Sequence, residues 1–189
     1  GIEEVQLING ASEAIADGTG VVLRADDQTT PAVNTTLIGG GGADELFGKG
    51  GADSIIGGSG SVSDTLIGGG GADTLDGGGG ADSLVGGSGK DHFVVTAGDT
   101  VDGGSDHDVV RSSADVDLRS AQFSGVEEVH LIGANANEAW GNTGSNTLVG
   151  SSGADTLDGG GGADSLVGGK GHDRFWVTSG DTVDGGEGH

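Results

Sequence analysis

Nine-residue repeats govern what this chain can fold into. Between Leu66 and His92, three consecutive units read LIGGGGADT, LDGGGGADS and LVGGSGKDH. Each unit has an apolar start, a glycine-rich turn and an aspartate, so the shared pattern is GGxGxD, then x, a large apolar residue and x. A short fixed period of this kind predicts a repeat architecture, in which successive units stack on one another and bury a continuous thin core.

The aspartates of these units fall into two arrays. The second array copies the first at an offset of 82 residues, so that Asp73 corresponds to Asp155, and Asn146 stands where Asp64 predicts an aspartate. Two units are expected to make one coil of roughly eighteen residues, with parallel strands about 4.8 Å apart. The aspartates then form ladders along the turns: Asp44, Asp64, Asp82 and Asp99; Asp53, Asp73, Asp91 and Asp108; Asn146, Asp164 and Asp181; Asp155 and Asp173.

Stacked carboxylates repel one another unless a cation lies between them. Ca²⁺ suits such a gap because it takes six to eight oxygen ligands from carboxylates and backbone carbonyls, whereas Mg²⁺ prefers rigid octahedral geometry and retains water. The chain has no cysteine and its histidines are scattered, which argues against zinc. An aspartate in a glycine-rich turn can also serve only to cap the turn, and this is the alternative.

We therefore expect several Ca²⁺ ions, held between coils by aspartate carboxylates and glycine carbonyls. The gap that begins at Asn146 is expected to bind more weakly. The predicted carboxylate ligands are Asp44, Asp53, Asp64, Asp73, Asp82, Asp91, Asp99, Asp108, Asp155, Asp164, Asp173 and Asp181. The predicted glycine ligands are Gly39, Gly41, Gly48, Gly50, Gly57, Gly68, Gly70, Gly77, Gly79, Gly86, Gly159, Gly161 and Gly168.

Composition supports cations as the partners of this chain. Thirty acidic residues against seven basic ones give a formal net charge of −23, which disfavours nucleic acid and anionic membrane surfaces. With 45 glycines the chain loses much backbone entropy on folding, so something besides a large core has to stabilise it. No hydrophobic run is long enough for membrane insertion. No catalytic arrangement of residues is evident, and we expect no enzyme activity.

The chain divides into four predicted segments. Residues 1–36 form a strand-bearing lead-in with an irregular loop, and residues 37–110 form the first array. Residues 111–145 form connecting coils without the aspartate motif, and residues 146–189 form the second array. The large apolar residue two positions after each aspartate is expected to point inward. Its outward neighbours Phe47, Ile67 and Val85 are expected to form an exposed apolar column that packs against neighbouring segments of the parent chain, the alternative being a site for a partner.

On these motifs the chain resembles the RTX family, whose hemolysin-type nonapeptide repeats bind calcium. The resemblance implies an all-β fold, a right-handed parallel β-roll or β-helix solenoid with Ca²⁺ in the glycine-rich turns. It also implies export through a type I secretion system and folding outside the cell, so that the protein is secreted or extracellular, or lies at the cell surface. We expect the sequence to be a segment of a longer chain.

Three roles stay open at this point. The first is a structural repeat segment of a large secreted or surface protein of the adhesin, S-layer or matrix type. The second is the C-terminal calcium-dependent folding module of a secreted enzyme, such as a protease, a lipase or an alginate-modifying enzyme. The third is a module that binds polysaccharide or ice, although the varied residues after each aspartate disfavour ice.

Overall fold

Short strands joined by glycine-rich turns make up the computed structural model, which describes residues 3–6, 13–15, 20–25 and 33–188. The predicted irregular loop between Ala25 and Asn34 lies largely outside the described residues. Each repeat forms a strand because its apolar residue alternates with residues that tolerate solvent. Leu66, for example, is fully buried, whereas Thr65 and Ile67 on either side are half-buried. The glycines that follow then turn the chain into the next strand.

The chain forms two compact units, Gly1–Asp108 and Val109–His189. This division lies two residues before the predicted end of the first array, and the four predicted segments stay a prediction. The strands of the first unit are β1 (Glu3–Gln6), β2 (Glu13–Ile15), β3 (Val21–Arg24), β4 (Thr36–Gly40), β5 (Glu45–Gly50), β6 (Ser54–Gly58), β7 (Thr65–Gly70), β8 (Thr74–Asp76), β9 (Ser83–Ser88), β10 (His92–Val95) and β11 (Thr100–Ser105).

Alternate strands of the first unit belong to two different parallel sheets. One sheet has the order β1-β3-β5-β7-β9-β11, and the other has the order β2-β4-β6-β8-β10. The chain therefore crosses from one sheet to the other at every turn, and each strand pairs with the strand one full coil away. This is the connectivity of a parallel β-solenoid.

The second unit repeats this arrangement. Its two parallel sheets have the orders β12-β15-β17-β19-β21 and β13-β16-β18-β20. Its strands are β12 (Val109–Ser112), β13 (Val116–Asp117), β14 (Phe123–Ser124), β15 (Glu128–Leu131), β16 (Glu138–Trp140), β17 (Thr147–Val149), β18 (Thr156–Asp158), β19 (Ser165–Val167), β20 (Arg174–Trp176) and β21 (Thr182–Asp184).

The core of each unit consists of columns of inward-pointing apolar side chains, one per strand. The inward residues predicted for the nonapeptides are 0–1 % exposed, which confirms that prediction; they are Leu46, Ile55, Leu66, Leu75, Leu84 and Phe93. In the first unit the two columns are Leu23, Leu46, Leu66, Leu84 and Val101, and Ala14, Leu37, Ile55, Leu75 and Phe93.

The prediction of an all-β parallel solenoid is confirmed. One detail was wrong: Phe47, Ile67 and Val85 do form an outward column in register, but they are half-buried rather than exposed. The guanidinium of Arg24 lies 4.0 Å from the centroid of the Phe47 ring and covers it in part. Within the described residues, no helix has the length and apolar character needed to cross a membrane.

Candidate metal centre

Hydrogen bonds join the aspartates of successive coils into the predicted ladders. The backbone N–H of Asp44, for example, donates to Oδ1 of Asp64, at 2.8 Å. The same bond recurs between 2.7 and 3.0 Å at all nine predicted steps, whether the step is 17, 18 or 20 residues long. Those steps are 44–64, 64–82 and 82–99; 53–73, 73–91 and 91–108; 146–164 and 164–181; and 155–173.

Three residues that the sequence reasoning missed extend these ladders. The N–H of Thr35 donates to Asp53 Oδ1 at 2.6 Å, and that of Val21 donates to Asp44 Oδ1 at 2.7 Å. In the second unit the N–H of Asn137 donates to Asp155 Oδ1 at 2.9 Å. The signal for Asn137 was its apolar neighbour two positions on, because Ala139 is buried and pairs with Leu157, as the inward residues of the repeats pair with one another.

The second carboxylate oxygen of the ladder aspartates, Oδ2, differs from Oδ1 in its hydrogen bonding. At eight of the ladder aspartates it is buried and accepts no hydrogen bond from the described part of the chain. An unpaired buried acceptor of this kind costs on the order of 1–3 kcal/mol, and more when it is charged. The eight residues are Asp44, Asp53, Asp73, Asp82, Asp91, Asp108, Asp164 and Asp173.

A glycine five residues before most of the ladder aspartates, and seven before Asp64, keeps the space beside Oδ2 open. A methyl group on Gly39 would lie 2.5 Å from Asp44 Oδ2 and 2.6 Å from the carbonyl oxygen of Gly57, which is one coil further on. A methyl group on Gly48 would meet Asp53 Oδ2 at 2.5 Å and the Gly68 carbonyl oxygen at 2.7 Å. At these two turns the gap between coils thus brings together a carboxylate oxygen without a hydrogen bond and a backbone carbonyl from the next coil.

Most of the predicted glycines occupy this first position of the turn, where they contact the carboxylate. These are Gly39, Gly48, Gly57, Gly68, Gly77, Gly86, Gly159 and Gly168. The predicted glycines two positions later are different: a methyl group on Gly41 would have nothing within 4 Å, and one on Gly161 would meet only Thr143. Any role of Gly41, Gly50, Gly70, Gly79 and Gly161 as carbonyl ligands stays a prediction.

Four further glycines take part in the same arrangement, although the sequence reasoning missed them. The carbonyl oxygens of Gly103 and Gly185 border the first-position glycines Gly86 and Gly168. Gly141 and Gly150 border the side-chain oxygens of Asn146 and Asp155. For Gly103, Gly141 and Gly150 the available signal was the five-residue spacing before the ladder residue, which survives in these turns although the rest of the GGxGxD pattern does not.

Three predicted ligands differ from the rest because both of their carboxylate oxygens are hydrogen-bonded. Asp99 Oδ2 accepts the N–H of Thr96 at 2.7 Å, and Asp181 Oδ2 accepts the N–H of Thr178 at 2.5 Å. Asp155 Oδ2 accepts both the N–H and the hydroxyl of Ser151. In these turns the chain lacks the GG pair and folds back onto its own aspartate. Their assignment as metal ligands stays a prediction, and the geometry is that of a capped turn.

Asn146 holds its ladder position in a similar way. It is buried, and its amide oxygen accepts the N–H of Asn142 at 2.9 Å. The gap at Asn146 therefore offers no carboxylate from that residue, in keeping with the weaker binding predicted there.

Burial, aided at most of them by repulsion from neighbouring aspartates, makes six of the ladder carboxylates harder to ionise without a cation. Burial raises the pKa of Asp53, Asp64 and Asp91 to about 6, and neighbouring ladder aspartates contribute to the rise. Bonds from backbone N–H groups oppose this shift only in part. Burial likewise raises the pKa of Asp73, Asp82 and Asp164.

The donor set fits a hard cation that accepts backbone ligands. No group of three or more His, Cys, Asp or Glu side chains comes together among the described residues. A metal in these turns would therefore be held by one or two carboxylates together with several carbonyls. This oxygen-only set is suited to Ca²⁺ and unsuited to zinc. A bound cation would supply the positive charge that the orphaned Oδ2 atoms lack.

Comparison with known proteins agrees with this geometry. No curated protein matches the chain significantly. The family model of the RTX calcium-binding nonapeptide repeat matches it in four copies, at residues 33–62, 61–93, 96–118 and 140–175, which together cover more than half of the sequence. These matches include every aspartate whose Oδ2 is buried and unpaired. The chain therefore belongs to the RTX family of calcium-binding nonapeptide repeat proteins.

Proposed function

We propose that this chain is a module that folds on binding Ca²⁺ outside the cell. In this role it serves as a structural repeat segment of a large secreted or surface protein. The observation that supports the proposal is the set of eight buried carboxylate oxygens without a hydrogen bond. In the absence of a cation, the folded state has to bury these charges next to one another, or protonate them.

The proposed coupling of folding to calcium follows from the small core. Each coil buries two large apolar side chains, whereas it orders about eighteen residues, many of them glycine. The binding energy of the ions is then effectively folding energy. At low calcium the chain, with its net charge of −23, is expected to be expanded by self-repulsion.

Circular dichroism of the whole chain, titrated with CaCl₂ after removal of metal, tests the proposal. We expect a cooperative gain of β signal at the millimolar calcium levels typical of extracellular modules, and no such gain with MgCl₂. A chain that is fully folded without metal and does not respond to calcium would contradict the proposal, because the aspartates would then act only as turn caps.

Two matched variants test whether the orphaned oxygens hold the ions. Asp73→Asn alters a carboxylate with a free, buried Oδ2, whereas Asp99→Asn alters one whose Oδ2 already accepts the Thr96 N–H. We expect D73N to bind at least one Ca²⁺ fewer by isothermal titration calorimetry, and D99N to keep the full number. Equal losses in the two variants would contradict this assignment of the ligands.

The second candidate role is the C-terminal folding module of a secreted enzyme. In this role the module would bind calcium in the same way, and the parent protein would also carry a catalytic domain. A catalytic domain encoded upstream in the same gene would favour it over a structural repeat segment.

A further inference from the structure

Both tryptophans of the chain lie in one column on the second sheet of the second unit. In register across four strands, Asp117 of β13 pairs with Trp140 of β16, which pairs with Asp158 of β18, which pairs with Trp176 of β20. We call these four residues the Trp–Asp face. Their chain neighbours Val116, Ala139 and Leu157 point into the core and are fully buried, so the four side chains of the face point outward.

The two indoles of this face are exposed to different degrees: Trp140 is half-buried with the Arg119 guanidinium over its ring, and Trp176, on the last strand of the sheet, is exposed. Trp176 is 64 % exposed, the highest value among the large apolar residues that the structure describes. At the corresponding outward position one coil earlier the chain has Asp158, so a tryptophan is not needed to build the strand. A large exposed indole on a regular strand is typical of a contact surface, because it offers a wide apolar ring and one N–H donor.

The spacing of the two rings is set by the sheet. They are separated by two strand intervals, roughly 9.6 Å at the usual distance between strands. This interval is close to the repeat of two pyranose units in an extended β-linked polysaccharide. In such a chain alternate sugars present the same face, so one ring of each pair can lie flat on an indole.

Polar groups between and beside the rings suit sugar hydroxyls. Asp158 lies between the two tryptophans; its Oδ1 accepts the N–H of Gly160 at 3.0 Å, and within the described chain no hydrogen bond reaches its Oδ2. A second outward column runs beside the face, with Glu138, Thr156 and Arg174 in register. Carboxylates, a hydroxyl and a guanidinium together offer both acceptors and donors.

Arg119 holds one end of the face in place. Its Nε and Nη2 donate to the two carboxylate oxygens of Asp117, at 2.8 and 3.0 Å, and its guanidinium lies 5.3 Å from the centroid of the Trp140 ring. A ring restrained in this way loses little conformational freedom when a ligand stacks on it.

Local charge selects the kind of ligand. The whole chain carries a net charge of −23, and on this surface the carboxylates of Asp115, Asp117, Glu138 and Asp158 face two guanidinium groups, those of Arg119 and Arg174. A basic partner would meet both arginines, and an anionic polysaccharide would meet the four carboxylates and the acidic chain around them. Charges of both signs therefore favour an uncharged ligand over either of these.

We propose that the Trp–Asp face binds a neutral, extended, β-linked polysaccharide, with sugar rings stacked on Trp140 and Trp176 and hydroxyls hydrogen-bonded to Asp158. This inference needs only the folded second unit and does not rest on the proposed extracellular role. The face would give the module a ligand in addition to its calcium ions.

Tryptophan fluorescence tests the proposal directly, because the chain has no tyrosine and both of its tryptophans lie in the face. The whole chain, saturated with calcium, is titrated with cellohexaose, chitohexaose, xylohexaose and mannohexaose, and calorimetry is run in parallel. We expect at least one of these oligosaccharides to shift the emission saturably, with a dissociation constant below about 10 mM.

Three variants locate the binding. Trp176→Ala is expected to weaken binding roughly tenfold or more, as when a central aromatic contact is lost, and Trp176→Phe to restore part of it. Phe47→Ala, which removes an outward aromatic residue from the first unit, serves as the matched control and should bind as the wild type does. Circular dichroism in calcium verifies that each variant folds; Trp176 is so exposed that little stability depends on it.

Three outcomes would overturn the proposal. The first is that none of the four oligosaccharides binds to the folded protein. The second is that one binds equally well to the Trp176→Ala variant. The third is that an arginine-rich peptide, and no oligosaccharide, binds in a manner that depends on Trp176, which would assign the face to a basic partner.

Discussion

Lys49 has a positive backbone φ angle at a turn position that is occupied by glycine in other repeats. Its φ is +76°, at the second position of a turn where Gly40, Gly69 and Gly87 have values near +111°. A side chain in this left-handed region is strained by about 1–2 kcal/mol, because Cβ approaches the backbone too closely. The lysine therefore weakens its turn, and the turn persists because the strands on either side hold it.

Replacing Lys49 with glycine should stabilise the folded chain. We expect Lys49→Gly to raise the free energy of unfolding by about 0.5–1 kcal/mol, since relief of strain exceeds the added freedom of the unfolded chain. Thermal unfolding in saturating calcium measures the change. Lys90→Gly is the matched control: it removes the same charge from an exposed site without a positive φ, and it should stabilise nothing. Equal gains from both variants would show that charge, and not strain, is responsible.

Gly39 and Gly41 lie in the same turn, but alanine should destabilise the fold at Gly39 and be tolerated at Gly41. A methyl group at Gly39 collides with Asp44 Oδ2 and the Gly57 carbonyl, whereas one at Gly41 has open space around it. We expect Gly39→Ala to cost about 1–3 kcal/mol of stability, as overpacking does, and also to remove a calcium ion. Gly41→Ala should change stability by less than about 0.5 kcal/mol. Calcium stoichiometry and melting temperature, measured together, distinguish the two variants.

At the scale of the element, the ladder is the part of the molecule that spacing predicted best. Steps of 17, 18 and 20 residues placed each aspartate against its partner because a parallel solenoid allows only one register when its inward residues are fixed. The same spacing did not predict the hydrogen bonding of the second oxygen of each carboxylate. Whether Oδ2 is free or accepts a bond from Thr96 or Ser151 depends on how one turn folds back, and aspartate spacing carries no information about that.

The ladders should give the metal-free chain an unusual dependence on pH. In the folded chain Asp53, Asp64 and Asp91 have pKa values of about 6, above the unfolded value of 3.8, so the folded state binds protons more tightly. Their contribution to stability is fully present below about pH 4 and is lost as the pH rises through about 6. We therefore expect metal-free protein to have more strand structure, and to melt at a higher temperature, at pH 5 than at pH 7.5.

Calcium should reverse this dependence, since protons then compete with the ion for the same oxygens. Circular dichroism melts at the two pH values, on protein stripped with a chelating resin and on protein saturated with CaCl₂, provide the measurement. A metal-free chain that is more stable at pH 7.5 than at pH 5 would contradict the prediction, because it would show that folding does not raise the pKa of these carboxylates.

At the scale of the whole molecule, the orphaned oxygens are unevenly distributed. The first unit holds six of them, and the second holds only those of Asp164 and Asp173. In the second unit Asn137 and Asn146 occupy ladder positions, and Asp155 is capped within its own turn. The spacing of the aspartates is alike in the two arrays, and what distinguishes a turn that is satisfied without a cation is the loss of its GG pair, as at Asp99, Asp155 and Asp181.

The two units should therefore respond to calcium to different degrees. In hydrogen–deuterium exchange of the whole chain, we expect added calcium to protect the amides of residues 33–108 more than those of residues 109–173, because more buried charge is neutralised there. Magnesium at the same concentration is the control. Equal protection of the two units would contradict the proposed link between orphaned oxygens and folding. Tryptophan emission alone would miss the difference, since both tryptophans lie in the second unit.

The bond between the ladder aspartates is nearly the same whether a coil contains 17, 18 or 20 residues, with lengths of 2.9, 2.8 and 2.8 Å in one ladder. Differences in coil length are absorbed in the turns, while the aspartates and the inward-pointing residues stay in register. A gene that encodes such a chain can therefore accept short insertions and deletions in its turns. It can also duplicate whole coils without redesigning a core. Proteins of this architecture are thus free to diverge in length while the few positions that set the register stay the same.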